Sequence, residues 1–291
     1  MTRTEGNDSR QAAARPQSLL LSFLGIYVLG RGTAVYSGSL IEVFARLGVS
    51  EEAVRSTLAR MAKRGLLARH RKGRKTYFGL TERAEEVLED GRRRVWETGA
   101  VNRAWDGTWT LVGFSLPDSS TRHDLRSQLI WAGFGLLQSG MWIAPGTKDV
   151  HGILASLEAS GLRVSDHVTV LQARALGPTE SADIVGKAFA IDEIAGRYRS
   201  FLDRWDTEHP APEAADDLAR QLLLHTDWLQ LIRQDPHLPA EHLPPGWPAI
   251  RAEQVFHRLA RVYEPPAAKL ASEIVETSDD PERGRTTVSS H

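Results

Sequence analysis

The chain has 291 residues, too many for one small domain and suited to two or three. Its 41% hydrophobic and 25% charged content is that of an ordinary globular protein able to bury cores, and the lack of cysteine excludes a disulfide framework, a thiolate metal site and a cysteine nucleophile. The net charge of −1 conceals a division: residues 1–105 carry +8 and residues 106–291 carry −9, the pattern of a nucleic-acid module joined to something acidic.

Residues 1–16 are polar, contain no apolar signal core, and read as a disordered tail, with order starting at Pro16. Residues 19–29 read as a buried helix ended by Gly30-Arg31-Gly32. This is the longest apolar stretch, about half of the roughly 20 residues a spanning helix needs, so the reading is a cytoplasmic protein without a membrane partner. Ser37 or Ser39 can cap a second helix, whose Leu40, Ile41, Phe44 and Leu47 recur at helical spacing before Gly48 breaks it.

The third helix runs from the N-cap Ser50 to about Arg64 and stops at Gly65, with Glu51 and Glu52 suiting its first turn. Val54, Leu58 and Met61 share one face. The opposite face presents Glu52, Ser56, Ala59, Arg60 and Lys63, flanked by Arg55 and Arg64. A helix entering the major groove needs such a face: small residues for close approach, hydroxyls and guanidinium groups for base edges and phosphates. Residues 66–80 then form two β-prone runs around Gly73, with Arg71, Lys72, Arg74 and Lys75 at the tip. Such a wing lays cations along a phosphate backbone or into a minor groove. Thr81 caps a further helix running toward Trp96. A basic helix alone is usually a solvated face and a basic hairpin alone usually a loop. Helix, turn, capped helix and basic hairpin in that order make a winged helix-turn-helix. The competing reading is a winged helix used for protein contacts, which leaves the basic tip unexplained.

Residues 106–177 alternate short β-prone runs with helical ones: a strand at 109–115, a capped helix to about 132, strands around Gly140, a helix over 147–160 and a β-rich run over 164–175. The order βαββαβ indicates a ferredoxin-like domain. Trp131, Phe134 and Trp142 are assigned to core or interface. Asp118, Asp124, Asp149 and Asp166 are scattered, so no hydrolytic or metal site is read from them. Residues 180–276 read as a helical C-terminal domain: a helix over 183–206, a Pro-containing break, a helix over 214–234, a Pro-rich segment from Asp235 to Pro248 that cannot be helical, and a last helix interrupted near Pro265-Pro266. His225, His237 and His242 are scattered and take surface or capping roles. Residues 277–291 read as a second disordered tail. The fold class is therefore α+β: an N-terminal winged helix-turn-helix over 17–100, a central ferredoxin-like α/β domain, and a C-terminal helical domain.

From about Arg15 to Glu276 the chain resembles the PaaX family of phenylacetate-pathway repressors. The resemblance is carried by Arg15-Pro16-Gln17-Ser18-Leu19, by the run from Ser50 to Met61 with its Gly65-Leu66 end, by Trp109-Thr110-Leu111-Val112, and by Asp235-Pro236-x-Leu238-Pro239 with Leu243-Pro244-x-x-Trp247-Pro248. It implies a homodimeric repressor, without a cofactor, released from an inverted-repeat operator in double-stranded DNA by an effector, phenylacetyl-CoA or a related acyl-CoA. It also implies a middle domain similar to the small CRISPR spacer-acquisition nuclease subunit. That subunit has an acidic residue at the end of its first strand, where this chain reads Gly113-Phe114-Ser115-Leu116-Pro117 before Asp118, so the expectation is no enzyme activity. The alternatives are a regulator of the same fold with a different ligand and a nucleic-acid hydrolase using the ferredoxin-like domain. The DNA-contact set is Arg55, Ser56, Arg60, Lys63 and Arg64 on the helix and Arg71, Lys72, Arg74 and Lys75 on the wing, with no catalytic or metal residue. A thioester has an anionic nucleotide end and an apolar acyl end. A pocket between the middle and helical domains could offer Arg174, Arg197 or Arg199 for the first and Tyr198, Trp205, Trp228 or Trp247 for the second, although each of these residues reads first as structural.

Overall fold

The computed structural model describes residues 5–96, 99–116, 118–158 and 161–280, with the backbone alone at 5–15 and 156. The chain forms two compact units, one made of Met1–Glu97, Arg204–Leu229 and Val255–His291, the other of Thr98–Asp203 and Gln230–Gln254. The stretch 180–276, expected as one helical body, is thus divided between them.

The first unit opens with α1 (Glu5–Tyr27), β1 (Thr33–Tyr36), α2 (Ser37–Ala45), α3 (Glu51–Lys63), the hairpin β2 (Leu67–Lys72) and β3 (Lys75–Leu80), and α4 (Glu82–Trp96). Helix α1 corrects the expected tail over 1–16: it passes through Pro16. A proline removes one helical hydrogen bond, and the alanine-rich run before it has strong helix propensity. Residues 1–4 lie outside the described residues. The apolar stripe of α1 packs Phe23 edge-on against Phe44 of α2 with centroids 6.4 Å apart, and both are fully buried, as are Leu24, Leu40 and Leu58. Each such side chain contributes about 1.5–3 kcal/mol on burial.

The second unit begins with β4 (Trp109–Phe114), α5 (Ser119–Trp131), β5 (Gly135–Gln138), β6 (Met141–Pro145), α6 (His151–Glu158), the single helical turn α7 (Val164–His167) and β7 (Val168–Ala173). Its sheet has the order β5-β6-β4-β7, antiparallel throughout. This is the ferredoxin-like order that the element succession indicates. Val112, Leu125, Leu129, Phe134, Trp142 and Ala144 fill its core. Trp131 instead lies 58% exposed, with the Arg233 guanidinium 5.6 Å from its ring centroid. Asp118 is spent as the N-cap of α5. It accepts from the Thr121 N–H and from the Ser120 and Thr121 hydroxyls, which hold its carboxyl down at about 2.

The remaining elements are α8 (Ser181–Ala188), α9 (Ile191–Trp205), α10 (Asp217–Arg233), α11 (Pro248–Ile274) and β8 (Thr277–Asp279). The helix expected over 183–206 is two helices, parted at Phe189. Helix α11 runs unbroken through Pro265 and Pro266, contrary to the expected interruption. The carbonyls those prolines leave unbonded belong to Arg261 and Val262, which are exposed to water, while the helix keeps Tyr263, Ala267 and Ala271 buried. In the Pro-rich segment, Ala240–His242 make one 3₁₀ turn where none was expected. Asp235, from the segment that carries the family resemblance, accepts from the Tyr198 hydroxyl at 2.5 Å and from the His237 N–H at 2.6 Å, and burial pushes its carboxyl up. That segment is therefore a structural clasp, closed by backbone hydrogen bonds that join Asn102 to Leu238 and Ala240.

The expected tail over 277–291 needs the same correction at its start. Strand β8 pairs with β1, opposing Thr33 to Asp279 and Val35 to Thr277, and completes a four-stranded sheet of order β2-β3-β1-β8. Residues 281–291 lie outside the described residues.

Candidate nucleic-acid interface

The helix-turn-helix is set by two glycines and one serine. Gly48, at φ 70°, ends α2 with the Val49 N–H donating to the Phe44 carbonyl and the Gly48 N–H to Ala45. Gly65, at φ 68°, ends α3 in the same way, with Leu66 donating to Met61 and Gly65 to Ala62. Both are Schellman closures that need a left-handed residue. Between them the Ser50 hydroxyl accepts from the Ala53 N–H at 3.3 Å. Neither Ser37 nor Ser39 caps α2: Tyr36 holds that position without a side-chain bond, and the Ser39 hydroxyl accepts from the Glu276 N–H.

Helix α3 buries Val54, Thr57, Leu58 and Met61 and leaves Arg55, Ser56, Arg60, Lys63 and Arg64 exposed. Arg55 pairs with Glu51 at 2.6 Å one turn back, and Arg60 donates to the Thr57 hydroxyl at 3.2 Å. An exposed pair of the first kind is worth about 0.2–1 kcal/mol and yields readily to a phosphate. In the wing, Leu67 opposes Leu80 and Lys72 opposes Lys75, leaving Gly73-Arg74 as a two-residue turn. Only Gly73 has positive φ, at 60°, which is the type II′ pattern and twists with the strands. Arg71, Lys72, Arg74 and Lys75 are all exposed. Thr81 links wing to helix: its hydroxyl donates to the Gly65 carbonyl at 2.8 Å and accepts from the Ala84 N–H that opens α4.

Sequence reasoning missed three features here. The Lys75 ammonium donates to a Glu276 carboxylate oxygen at 2.5 Å, and the Tyr77 hydroxyl donates to the other oxygen at the same distance. The first bond holds Lys75 above its usual range and Glu276 below it. Lys72 reaches the Ser278 hydroxyl at 3.4 Å. Arg46, in the helix-turn-helix turn, pairs with Asp216, which also caps α10 by accepting from the Ala219 N–H. The uniformly acidic charge of Glu276, Asp279 and Asp280 is the available signal, but nothing local says where the segment docks.

The effector candidates are divided between the two units. Tyr198 and Trp247 are buried in the second unit and Trp205 and Trp228 in the first. The Tyr198 hydroxyl is taken by Asp235 and the Trp205 indole N–H donates to Asp227 at 3.1 Å. Arg197 and Arg199 are exposed, and Arg174 lies 3.7 Å from Asp106. His225 also departs from a surface role. It packs against Trp96 and Phe256, and burial pushes its imidazole down to about 4. Among the described residues no three His, Asp or Glu converge as metal ligands, and no helix is long and apolar enough to cross a membrane.

Three family models match the chain in succession: PaaX-like protein over residues 15–84, PaaX protein central Cas2-like domain over 102–185, and PaaX-like protein C-terminal domain over 189–273. The protein named Transcriptional repressor PaaX from Escherichia coli (strain K12) is 31% identical over 271 residues, which cover 90% of this chain and 84% of that one. Among solved structures, the uncharacterized protein Rv0674 from Mycobacterium tuberculosis is similar with a TM-score of 0.57, over 86% of this chain and 95% of that one. At 22% identity this is a likeness of fold alone.

Proposed function

Because the chain belongs to the PaaX family of transcriptional repressors, regulators rather than enzymes, we propose that it binds an operator as a cytoplasmic homodimer and is released by an aryl-CoA thioester, with phenylacetyl-CoA as the first candidate. One observation carries the DNA part: Arg55, Arg60, Lys63 and Arg64 on α3 and Arg71, Lys72, Arg74 and Lys75 at the wing tip are all exposed, while Val54, Leu58 and Met61 on the other face of α3 are buried. In this reading Ser56, Arg60 and Lys63 face base edges, Arg55 and Arg64 flank them, and the wing holds phosphate or minor groove. A dimer reading an inverted repeat would place half-sites about 10 base pairs, or a multiple, apart. The thioester is drawn from the family resemblance, and another acyl-CoA is the alternative effector. The hydrolase alternative loses its best carboxylate, since Asp118 is engaged as a helix cap.

The test is binding to the DNA upstream of the protein's own gene against random DNA, over a salt series, with and without phenylacetyl-CoA. Preference for the upstream DNA that the thioester abolishes, and free phenylacetate does not, supports the whole reading. Preference indifferent to any aryl-CoA keeps the repressor and discards the effector. Equal binding to both DNAs removes the assumed operator.

A further inference from the structure

The segment after α11 is built into the wing. The Tyr36 N–H donates to the Glu276 carbonyl at 2.9 Å, and the Glu276 N–H donates to the Ser39 hydroxyl at 3.0 Å. Strand β8 then registers on β1, and the Asp280 N–H donates to the Gly32 carbonyl at 3.1 Å. The Asp280 carboxylate is buried 3.1 Å from the His70 imidazole, over Gly79, where a Cβ would fall 2.1 Å from one of its oxygens. Pinned on both sides, Glu276 holds its carboxylate in place: one oxygen takes the Tyr77 hydroxyl and the other takes Lys75. The Lys75 ammonium also sits 4.9 Å from the Tyr36 ring centroid. Both Lys75 and Glu276 side chains remain nearly half exposed, so an incoming phosphate oxygen can reach the ammonium.

We propose that Glu276 is an intramolecular competitor for DNA phosphate at the wing: it occupies Lys75 in the free protein and must give it up when a phosphate arrives. The proposal rests on the DNA-binding reading above. The wing then contributes less to binding of every sequence alike, while α3 still chooses among sequences. Non-specific affinity comes from neutralised phosphates and released counterions, and Lys75 reaches a phosphate only once its pair with Glu276 is broken, so the strength of that pair is subtracted from the contact. A segment more than 200 residues away in sequence thereby sets how tightly the repressor holds DNA of any kind.

The experiment uses the full chain and a random-sequence duplex, with fluorescence anisotropy between about 50 and 200 mM salt. Glu276→Gln keeps the size and can still accept from Tyr77, but removes the charge. Breaking an exposed ion pair costs up to about five-fold in affinity, so the variant should bind about two- to five-fold tighter at low salt. The gain should shrink toward the high-salt end, where the wild-type pair is screened. In a Lys75→Gln background the same change should have little effect. Tyr77→Phe, which loosens Glu276 without altering charge, should shift affinity in the same direction by less, and is the second route if Glu276→Gln lowers the melting temperature. Unchanged or weaker binding by both variants, with the wild type binding in a salt-dependent way, overturns the competitor and leaves the DNA reading standing. No binding by the wild type at low salt overturns both.

Discussion

Replacing Arg71 and Arg74 together by glutamine tests the wing where it is least encumbered. Both side chains are exposed, one on β2 opposite Thr76 and one in the turn, and neither is engaged by a carboxylate among the described residues. The fold should not change, because Gly73 alone supplies the strained turn conformation and the hairpin core is Tyr77, Phe78 and Leu80. Each phosphate contact contributes about 0.9 to the slope of log K against log salt, so losing two takes about 1.8 from it per protomer. Across a four-fold rise in salt, wild type should then lose about ten-fold more affinity than the variant for each protomer bound. Anisotropy titrations on random DNA and on the operator should show the same flattening, since phosphate contacts carry no sequence information. Parallel salt lines for the two proteins would refute the placement of the wing on the backbone.

Changing Arg60 to Ala, in contrast, should cost about 1–3 kcal/mol on the operator and relax preference there, and equal losses on operator and random DNA would remove Arg60 from the reading set. Arg46→Met leaves the half-buried Asp216 without its partner, and urea denaturation should show a loss of about 1–3 kcal/mol, the full cost of breaking a buried pair discounted for partial exposure. An unchanged midpoint would show the pair to be ornamental. Gly135→Ala drives a Cβ to 2.3 Å from the Ala188 carbonyl oxygen, a backbone atom that cannot swing away, so a loss of about 1–3 kcal/mol or more is expected, and a wild-type melting temperature would contradict the close approach of β5 and α8. His225 titrates near 4 when folded against about 6.5 when unfolded, so the unfolded chain binds the proton first as pH falls. Its stabilising share is complete above about pH 6.5 and is lost on acidification toward 4, by about 2–3 kcal/mol at pH 4.5. His225→Phe should flatten the stability profile over that window, as read by urea midpoints at several pH values.

What the sequence made legible was local. The third helix announces itself through Ser50, Gly65 and a 3.6-residue stripe, and the wing through Gly73 between two β-prone runs, because caps and turns are decided by residues a few positions apart. The ferredoxin-like order followed from the same kind of signal in 106–177. Strand β1 was missed: four residues are too few to show a period of two. Strand β8 and the Glu276 contacts were missed for a different reason, since Ser39 and Glu276 are 237 residues apart and a short polar segment looks the same whether it pairs or not. Bulk and a polar tip serve a core as well as a pocket, so the aromatics alone do not mark an effector site: Tyr198 donates to the Asp235 carboxylate and Trp205 to that of Asp227. Pro16 reads as the start of order and Pro265-Pro266 as an interruption, yet a helix with enough buried face or propensity absorbs the missing donor.

The first unit shows why a repressor of this plan need not carry its DNA-binding module as a detachable head. Tyr27 of α1 donates to Gln221, and Thr226 donates to Ser22, so α10 is bonded to the helix that roofs the winged helix. Trp228 stacks on Phe256 at 4.8 Å, and Trp96 at the end of α4 meets the same phenylalanine. Arg46 ties the turn before α3 to the start of α10, and Glu276 ties the end of α11 to the wing. The recognition helix and the wing tip therefore each have a separate connection to the C-terminal helices, one through the turn and one through the sheet. Were an effector to shift α10 or α11, Arg46 would carry the displacement to α3 and Glu276 would carry it to the wing. In the proposed reading those two effects would differ in kind, loss of base readout in the first and a change in general phosphate affinity in the second. The ratio of operator to random-DNA binding, followed across salt, separates them without any knowledge of where the ligand sits.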